Sequence, residues 1–346
     1  MINWARLAFQ RLTSDQRRTA DTHLLKVCIP GLEGIDIYLK DESTQPTGSL
    51  KHRVARSLFM HAISSGKIVK DTHVVEASSG NTAISEAYFA KLLELPFTAV
   101  MPRNTSQSKV SMIEAFGGRC HFVEDSSQVY DAAQALALEY GGHYMDQFTY
   151  AEQASDWRSE DSIAASIFRQ MSSEAHPVPH AVVMSAGTGG SAATLGRYIH
   201  YKGMDTKLIV TDPENSVFYD SFIKKDRSLT EANGSRIEGI GRPRVEASFL
   251  PEVITSMIKV KDQLTLATMY WFEELTGRRV GASTGTNLYG VLEVAAAMKA
   301  RGEKGSIVTL ICDDGSRYAD TYWNLEWAMN KVGDFKFEAE ELRRYA

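Results

Sequence analysis

The sequence predicts an α/β protein in two units, each a parallel sheet covered by helices. Short β-branched or apolar runs alternate with amphipathic helical segments, and Gly, Pro or Asn stands at the switches. The chain of 346 residues, 43% hydrophobic and 23% charged, is also longer than one ordinary core can use. No repeat of fixed period and no low-complexity linker divides it, so the units are expected to pack closely.

Taken in order, Met1 to Leu12 interleaves Trp4, Leu7, Ala8 and Phe9 with Arg6, Gln10 and Arg11, the spacing of an amphipathic helix rather than of a signal peptide. In the first unit 72–76, 97–101 and 120–123 read as strands. Segments 81–95, 107–116 and 129–140 read as helices, the last ended by Gly141-Gly142. A connection rich in aromatic and charged residues, 144–171, holds the helix that enters the second unit. There 181–184, 207–210 and 307–311 read as strands, and 191–201, 265–275 and 288–299 as helices. A ligand of such a protein is expected at the strand C-termini, in the crevice between the domains.

Several classes of function are excluded by composition. With 38 Lys and Arg against 43 Asp and Glu, the net charge of −5 supplies no cationic footprint for nucleic acid. No stretch approaches the ~20 apolar residues of a membrane-spanning helix, so no membrane partner is expected. The three cysteines, Cys28, Cys120 and Cys312, are odd in number and far apart, which fits a reducing cytoplasm and neither a disulfide framework nor a Cys-x-x-Cys pair. His176 and His180 enclose Pro177 and Pro179, which prevents the helical presentation of a zinc site, and no metal is expected.

Three loops have the chemistry to hold a ligand. In the segment from Lys40 to Arg53, Pro46 and Gly48 make a turn, Ser49 can cap, and a helix should begin near Lys51. Lys51 would then lie in a first turn, where the helix dipole disfavours a cation; a solvated surface lysine is the plainer alternative. The run Glu76-Ala77-Ser78-Ser79-Gly80-Asn81-Thr82 joins a strand to a helix and offers amides and hydroxyls to a carboxylate or phosphate. Ser185-Ala186-Gly187-Thr188-Gly189-Gly190-Ser191-Ala192 is again strand to helix. With Asp212 at the end of the next strand it also reads as a dinucleotide fingerprint, so NAD and a lone phosphate group are equal candidates at this point. Gly281-Ala282-Ser283-Thr284-Gly285 has the form of a hydrolase nucleophile elbow, but no histidine follows it.

Together these loops resemble the fold-type II pyridoxal phosphate (PLP) enzymes of the cysteine synthase and cystathionine β-synthase family, from about Asp21 to Arg317. Lys40, Glu42, Pro46, Gly48, Ser49, Lys51 and Arg53 match one family motif, which implies that Lys51 is the Schiff-base lysine. Ser79-Gly80-Asn81-Thr82 matches another and Asp146-Gln147-Phe148 the family's Gln-Phe element, which implies that Asn81 faces the cofactor while Ser78, Ser79, Gly80, Thr82 and Gln147 hold the substrate. Gly187, Thr188, Gly189, Gly190 and Ser191 match the phosphate cup, and Ser283 the hydroxyl that meets the pyridine nitrogen.

The resemblance implies a tryptophan synthase β-like α/β fold of two open twisted sheets flanked by helices, with PLP in the interdomain cleft. It implies a smaller, mobile domain over 46–155, a larger phosphate-binding domain over 1–45 and 156–346, and a homodimer. Glu238, Arg242-Pro243 and Asp156-Trp157-Arg158 depart from the synthase pattern and resemble the bacterial cysteine desulfhydrase branch. The implied activity is β-elimination of L-cysteine to pyruvate, ammonia and hydrogen sulfide. Cysteine synthase is the alternative enzyme, and a non-catalytic PLP-fold scaffold the alternative of another class.

Overall fold

The structure, a computed structural model, describes residues 2–342; Met1, where the expected N-terminal helix starts, and 343–346, where the expected larger domain ends, lie outside the described residues. The chain opens with α1 (Ile2–Arg18), β1 (Leu24–Val27), β2 (Ile35–Asp41), α2 (Lys51–Ser64), β3 (Val74–Ala77), α3 (Asn81–Leu93) and β4 (Phe97–Pro102). It continues through α4 (Gln107–Ala115), β5 (Arg119–Val123), α5 (Val129–Glu139), β6 (His143–Tyr144), α6 (Gln147–Ala154), α7 (Ile163–Met171), β7 (Ala181–Ser185) and α8 (Gly190–Lys202). Then follow β8 (Lys207–Pro213), α9 (Phe218–Lys224), β9 (Ser256–Val260), α10 (Asp262–Thr276), α11 (Ala282–Ala300), β10 (Gly305–Ile311), α12 (Leu325–Val332) and α13 (Lys336–Leu342).

Contacts group the chain into two compact units, one holding the residues up to Asp21 with Gln45–Asp156, the other Thr22–Thr44 with the residues from Trp157 onward. The expected boundaries need one correction: α1 belongs to the first unit. Its Ala8 and Leu12 are buried with Val54, Leu58 and Phe89 of that unit's core, because the apolar stripe of an amphipathic helix must find an apolar face.

In the first unit four parallel strands run in the order β5-β4-β3-β6. The period-two alternation of a strand decides which face each residue serves. Val74, Phe97, Ala99 and Met101 join one core with α1, α2, α3 and α4. Val75, Ala77 and Val100 join another under Val129, Ala133, Leu136 and Ala137 of α5. Both faces are thereby covered, as a parallel sheet requires.

The second unit carries a six-stranded sheet ordered β1-β2-β10-β7-β8-β9. All neighbours are parallel except the edge pair β1 and β2, so the expectation of a wholly parallel sheet is corrected there. Ile37, Leu39, Val183, Ile307 and Ile311 pack with Trp271, Val291 and Ala295 from α10 and α11. Lys40 and Asp41, read from sequence as the start of a loop, end β2 instead. Lys40 is fully buried, and its ammonium donates to the Thr22 carbonyl at 2.6 Å and to Gln170 Oε1 at 2.7 Å. A buried cation persists only with such partners.

Candidate functional site

Lys51 stands at the first residue of α2, as the turn before it requires. Gly48 takes φ 69°, a left-handed conformation that favours glycine, and its amide closes the turn on the Gln45 carbonyl at 2.7 Å. The buried Ser49 accepts the Lys51 amide on its Oγ at 3.3 Å. Thr47 Oγ1 lies 2.8 Å from Ser85 Oγ and 3.2 Å from His52 Nδ1, which ties this turn to α3. The His52 ring is buried against Tyr88 and Phe89. The Lys51 turn and the Ser78–Thr82 loop, remote in sequence, are thus joined inside one unit.

That second loop leaves β3 and enters α3 with Gly80 as the N-terminal cap. Gly80 has no side chain to bond the first-turn amides, and Ser78 Oγ accepts only the Gly80 amide, at 3.3 Å. Ser78, Ser79, Gly80 and Asn81 are half-buried, whereas Thr82 is buried. Thr82 donates its hydroxyl to Gln147 Oε1 at 2.8 Å. This engages the Gln147 oxygen, so the two N–H groups of its amide are what Gln147 can offer to a ligand. Gln147 opens α6, capped by Asp146, and its backbone N–H donates to Glu76 Oε2 at 3.2 Å. Glu76 Oε1 accepts the Ala77 amide at 2.6 Å.

In the second unit β7 delivers Gly187, Thr188, Gly189, Gly190 and Ser191 to the start of α8. Gly189, the cap, takes φ 97°, and a Cβ there would lie 2.5 Å from the Ser248 carbonyl. At Gly187 a Cβ would lie 2.2 Å from the Gly239 carbonyl. Both glycines are therefore demanded by the segment 237–249 wrapped against the loop, and the Gly241 amide fastens that segment to the Ala186 carbonyl at 2.8 Å. The α8 amides meet no side-chain cap beyond Thr188 Oγ1, which accepts the Gly190 amide at 3.2 Å.

Ser283 is buried in the first turn of α11, which begins at Ala282 rather than near Leu288 as the sequence suggested. The apolar periodicity marked only the later turns, since Ala282 to Asn287 is made of small residues. The Gly-x-Ser-x-Gly pattern is this helix start, with Gly281 pressed against Asp313 and Tyr318. Asp313, which sequence reasoning missed, is buried and accepts the Tyr318 hydroxyl at 2.6 Å.

The dinucleotide alternative loses its acid. Asp212 is fully buried and accepts Ser216 Oγ at 2.6 Å and the Tyr219 amide at 2.8 Å, anchoring the entry to α9. It is committed within the fold, whereas a ribose ligand must face outward. Arg242 is likewise engaged, its Nε 2.7 Å from Glu246 Oε1, and Arg158 is exposed over the Trp157 ring.

Many helix starts here lack a side-chain cap bond, α2, α4, α5, α9 and α10 among them, but only some are capped by glycine. Asp146, Ser162 and Asn324 cap α6, α7 and α12 with their own side chains. The three starts expected to meet ligands, on α3, α8 and α11, have glycine caps and no side-chain cap bond. Open first-turn amides with flanking hydroxyls suit a phosphate ester and a carboxylate, so the residues present fit PLP and an amino acid.

The family description "Pyridoxal-phosphate dependent enzyme" matches residues 19–313. The chain is 54% identical over 329 residues to an L-cysteine desulfhydrase of Mycobacterium tuberculosis, covering 94% of this chain and 89% of that one. It is 28% identical to a cysteine synthase of Aquifex aeolicus, over 86% of this chain and 87% of that one. Among solved structures, a hydrogen sulfide-producing enzyme of Fusobacterium nucleatum superposes with a TM-score of 0.81 at 23% identity, covering 96% of each chain. An O-ureido-L-serine synthase does so with a TM-score of 0.78 at 22% identity, over 89% of this chain and 93% of that one. These two share the fold: paired α/β sheets flanked by helices.

Proposed function

The chain belongs to the pyridoxal-phosphate dependent enzyme family, and from that premise we propose that it is an L-cysteine desulfhydrase, converting L-cysteine and water to pyruvate, ammonia and hydrogen sulfide. The observation that carries the choice of reaction is the 54% identity, sustained over 94% of the chain, to a desulfhydrase. PLP, when bound, draws off the electron pair left at the substrate α-carbon.

We assign the cofactor's phosphate to Gly187, Thr188, Gly189, Gly190 and Ser191, its ring nitrogen to Ser283, its phenolic side to Asn81 and its carbonyl carbon to Lys51. Ser78, Ser79, Gly80, Thr82 and Gln147 receive the substrate carboxylate. The Lys51 amine takes the α-proton, a step worth typically ~10² to 10⁴ in rate. The β-carbon–sulfur bond then breaks with its electrons on sulfur, which leaves as sulfide. Ser283 presents a neutral hydroxyl and holds no proton at the ring nitrogen as a carboxylate would. Routes in which a leaving group carries the electrons away are favoured over routes that must store them.

The proposal includes a cytoplasmic homodimer, supported by the reducing-compartment cysteine pattern and the resemblance. Among the described residues no helix is long and apolar enough to cross a membrane. The test is one preparation assayed twice: L-cysteine should yield sulfide and pyruvate in equal amounts, and acetylserine plus sulfide should yield cysteine with a lower kcat/KM. A higher kcat/KM for synthesis would make the chain a cysteine synthase. Sedimentation at working concentration checks the dimer.

A further inference from the structure

The first unit buries a second acid beside Glu76. Glu76 lies two residues beyond Val74 on β3 and so shares its face, the one covered by α3, where Glu86 lies one turn past the helix start. Both side chains are fully buried. Among the described residues no N–H or hydroxyl reaches either oxygen of Glu86, and the ionisable neighbour that acts on it is the carboxyl of Glu76. Two ionised carboxylates in that position would repel without a counter-charge, whereas a protonated Glu86 can donate its O–H to Glu76, and with Glu76 protonated too no buried charge remains.

Glu76 grips the loop from below. Its oxygens take the amide of Ala77, next to the loop, and that of Gln147, whose side chain is in turn held by Thr82. We propose that Glu76 and Glu86 form a hydrogen-bonded pair of positioning residues, both protonated when substrate binds, that fixes Gln147 and the Ser78–Thr82 loop and keeps the floor beneath the substrate-carboxylate pocket uncharged. This rests on the reading of that loop as the carboxylate pocket.

Burial raises the Glu76 carboxyl to about 8 against the pull of its two backbone amides, with Asp146 adding a like charge. Burial and the charge of Glu76 drive Glu86 well above the usual range. The other titratable neighbours of the pair are Tyr144 and, beyond it, Tyr130; burial and the acids raise Tyr144 too. Glu86 therefore keeps its proton and donates it to Glu76, which is the group that ionises as pH climbs. Ionised Glu76 sets a buried negative charge under the position of the substrate's own. Amino-acid binding should accordingly take up part of a proton near pH 8 and none near pH 6.

The experiment follows L-alanine binding to the holoenzyme calorimetrically from pH 6 to 9, in buffers of different ionisation enthalpy, for wild type, E76Q and E86Q. L-Alanine carries the carboxylate and amine but no leaving group. Its affinity for wild type should fall by up to about tenfold from pH 7 to 9 beyond any fall in E76Q, the factor set by the protonated fraction of a group near pH 8. E86Q should retain the fall, because an amide N–H replaces the acid O–H as donor to Glu76.

Difference infrared spectra of the wild-type protein should contain a buried protonated-carboxyl band that bleaches near pH 8, which needs no variant to fold. Parallel profiles in wild type and E76Q, or absence of the band at pH 7, would overturn the inference. Failure of L-alanine to bind wild type overturns it together with the pocket it rests on, whereas binding without sulfide release from L-cysteine overturns only the choice of reaction.

Discussion

Lys51 and Thr82 sit in one unit yet should fail in different ways when altered. Lys51→Ala removes the amine placed at the start of α2, and kcat with L-cysteine should drop at least ~10²-fold, the low end for a positioned base. Thr82→Ala leaves that amine in place but releases the Gln147 amide it holds at 2.8 Å. KM should rise by about tenfold, the scale of one hydrogen bond to a charged group, with a smaller change in kcat. Steady-state kinetics at fixed PLP separates the two, and an equal fall of kcat in both would contradict the roles assigned. The place of Lys51 at a helix start was legible because Pro46, Gly48 and Ser49 spell a turn and a cap, while its proposed role came from the resemblance and not from the loop. Glu76 was not, since its meaning depends on a carboxyl ten positions on and an amide at Gln147 that only the fold brings near.

Helix starts divide into those closed by a side chain and those left open, and the division makes its own prediction. Ser162→Ala should cost about 1 kcal/mol of stability, seen as a lower Tm, and leave the cofactor bound, because Ser162 accepts only the Ala165 amide. Gly189→Asp should release the cofactor, since a side chain at φ 97° meets the Ser248 carbonyl and its charge opposes phosphate. Bound-cofactor absorbance after gel filtration, set beside the melting curve, distinguishes them; a yellow Gly189→Asp protein would refute the phosphate assignment. The strand–helix alternation was plain from sequence where apolar runs were clear, and it bracketed the start of α8 but set that of α11 near Leu288 instead of Ala282. It failed at β2, where Ile35-Asp36-Ile37-Tyr38-Leu39-Lys40-Asp41 mixes charge into a nearly fully buried strand. There Lys40 is stabilised by Thr22 and Gln170, partners no local pattern reveals. At β1 and β9 the strands are short and half-buried, so their pattern is weak.

For the molecule as a whole, class, cofactor and reaction were readable because several weak motifs occurred in one order along the chain. The unit boundary was less so: α1 joins the first unit through Ala8 and Leu12, a tertiary choice that its amphipathic stripe leaves open. The chain path reaches further. The last strand, β10, is inserted between β2 and β7, so that Gly305 pairs with Ile35 and Ile307 with Ala181. On a ribosome the hairpin of β1 and β2 emerges early and must wait for almost the entire chain before its open side is covered, and a two-stranded ribbon is marginal in water. The sheet of β3 to β6 is complete by Tyr144 and needs nothing later for its strand pairing. Pulse-labelled hydrogen exchange during refolding should therefore find β3 and β4 protected first, with β2 and β10 gaining protection together; β2 protected ahead of β10 would contradict this. Long-range closure makes this a slow step, and the waiting strand is the place where synthesis of this enzyme is most exposed to misassembly.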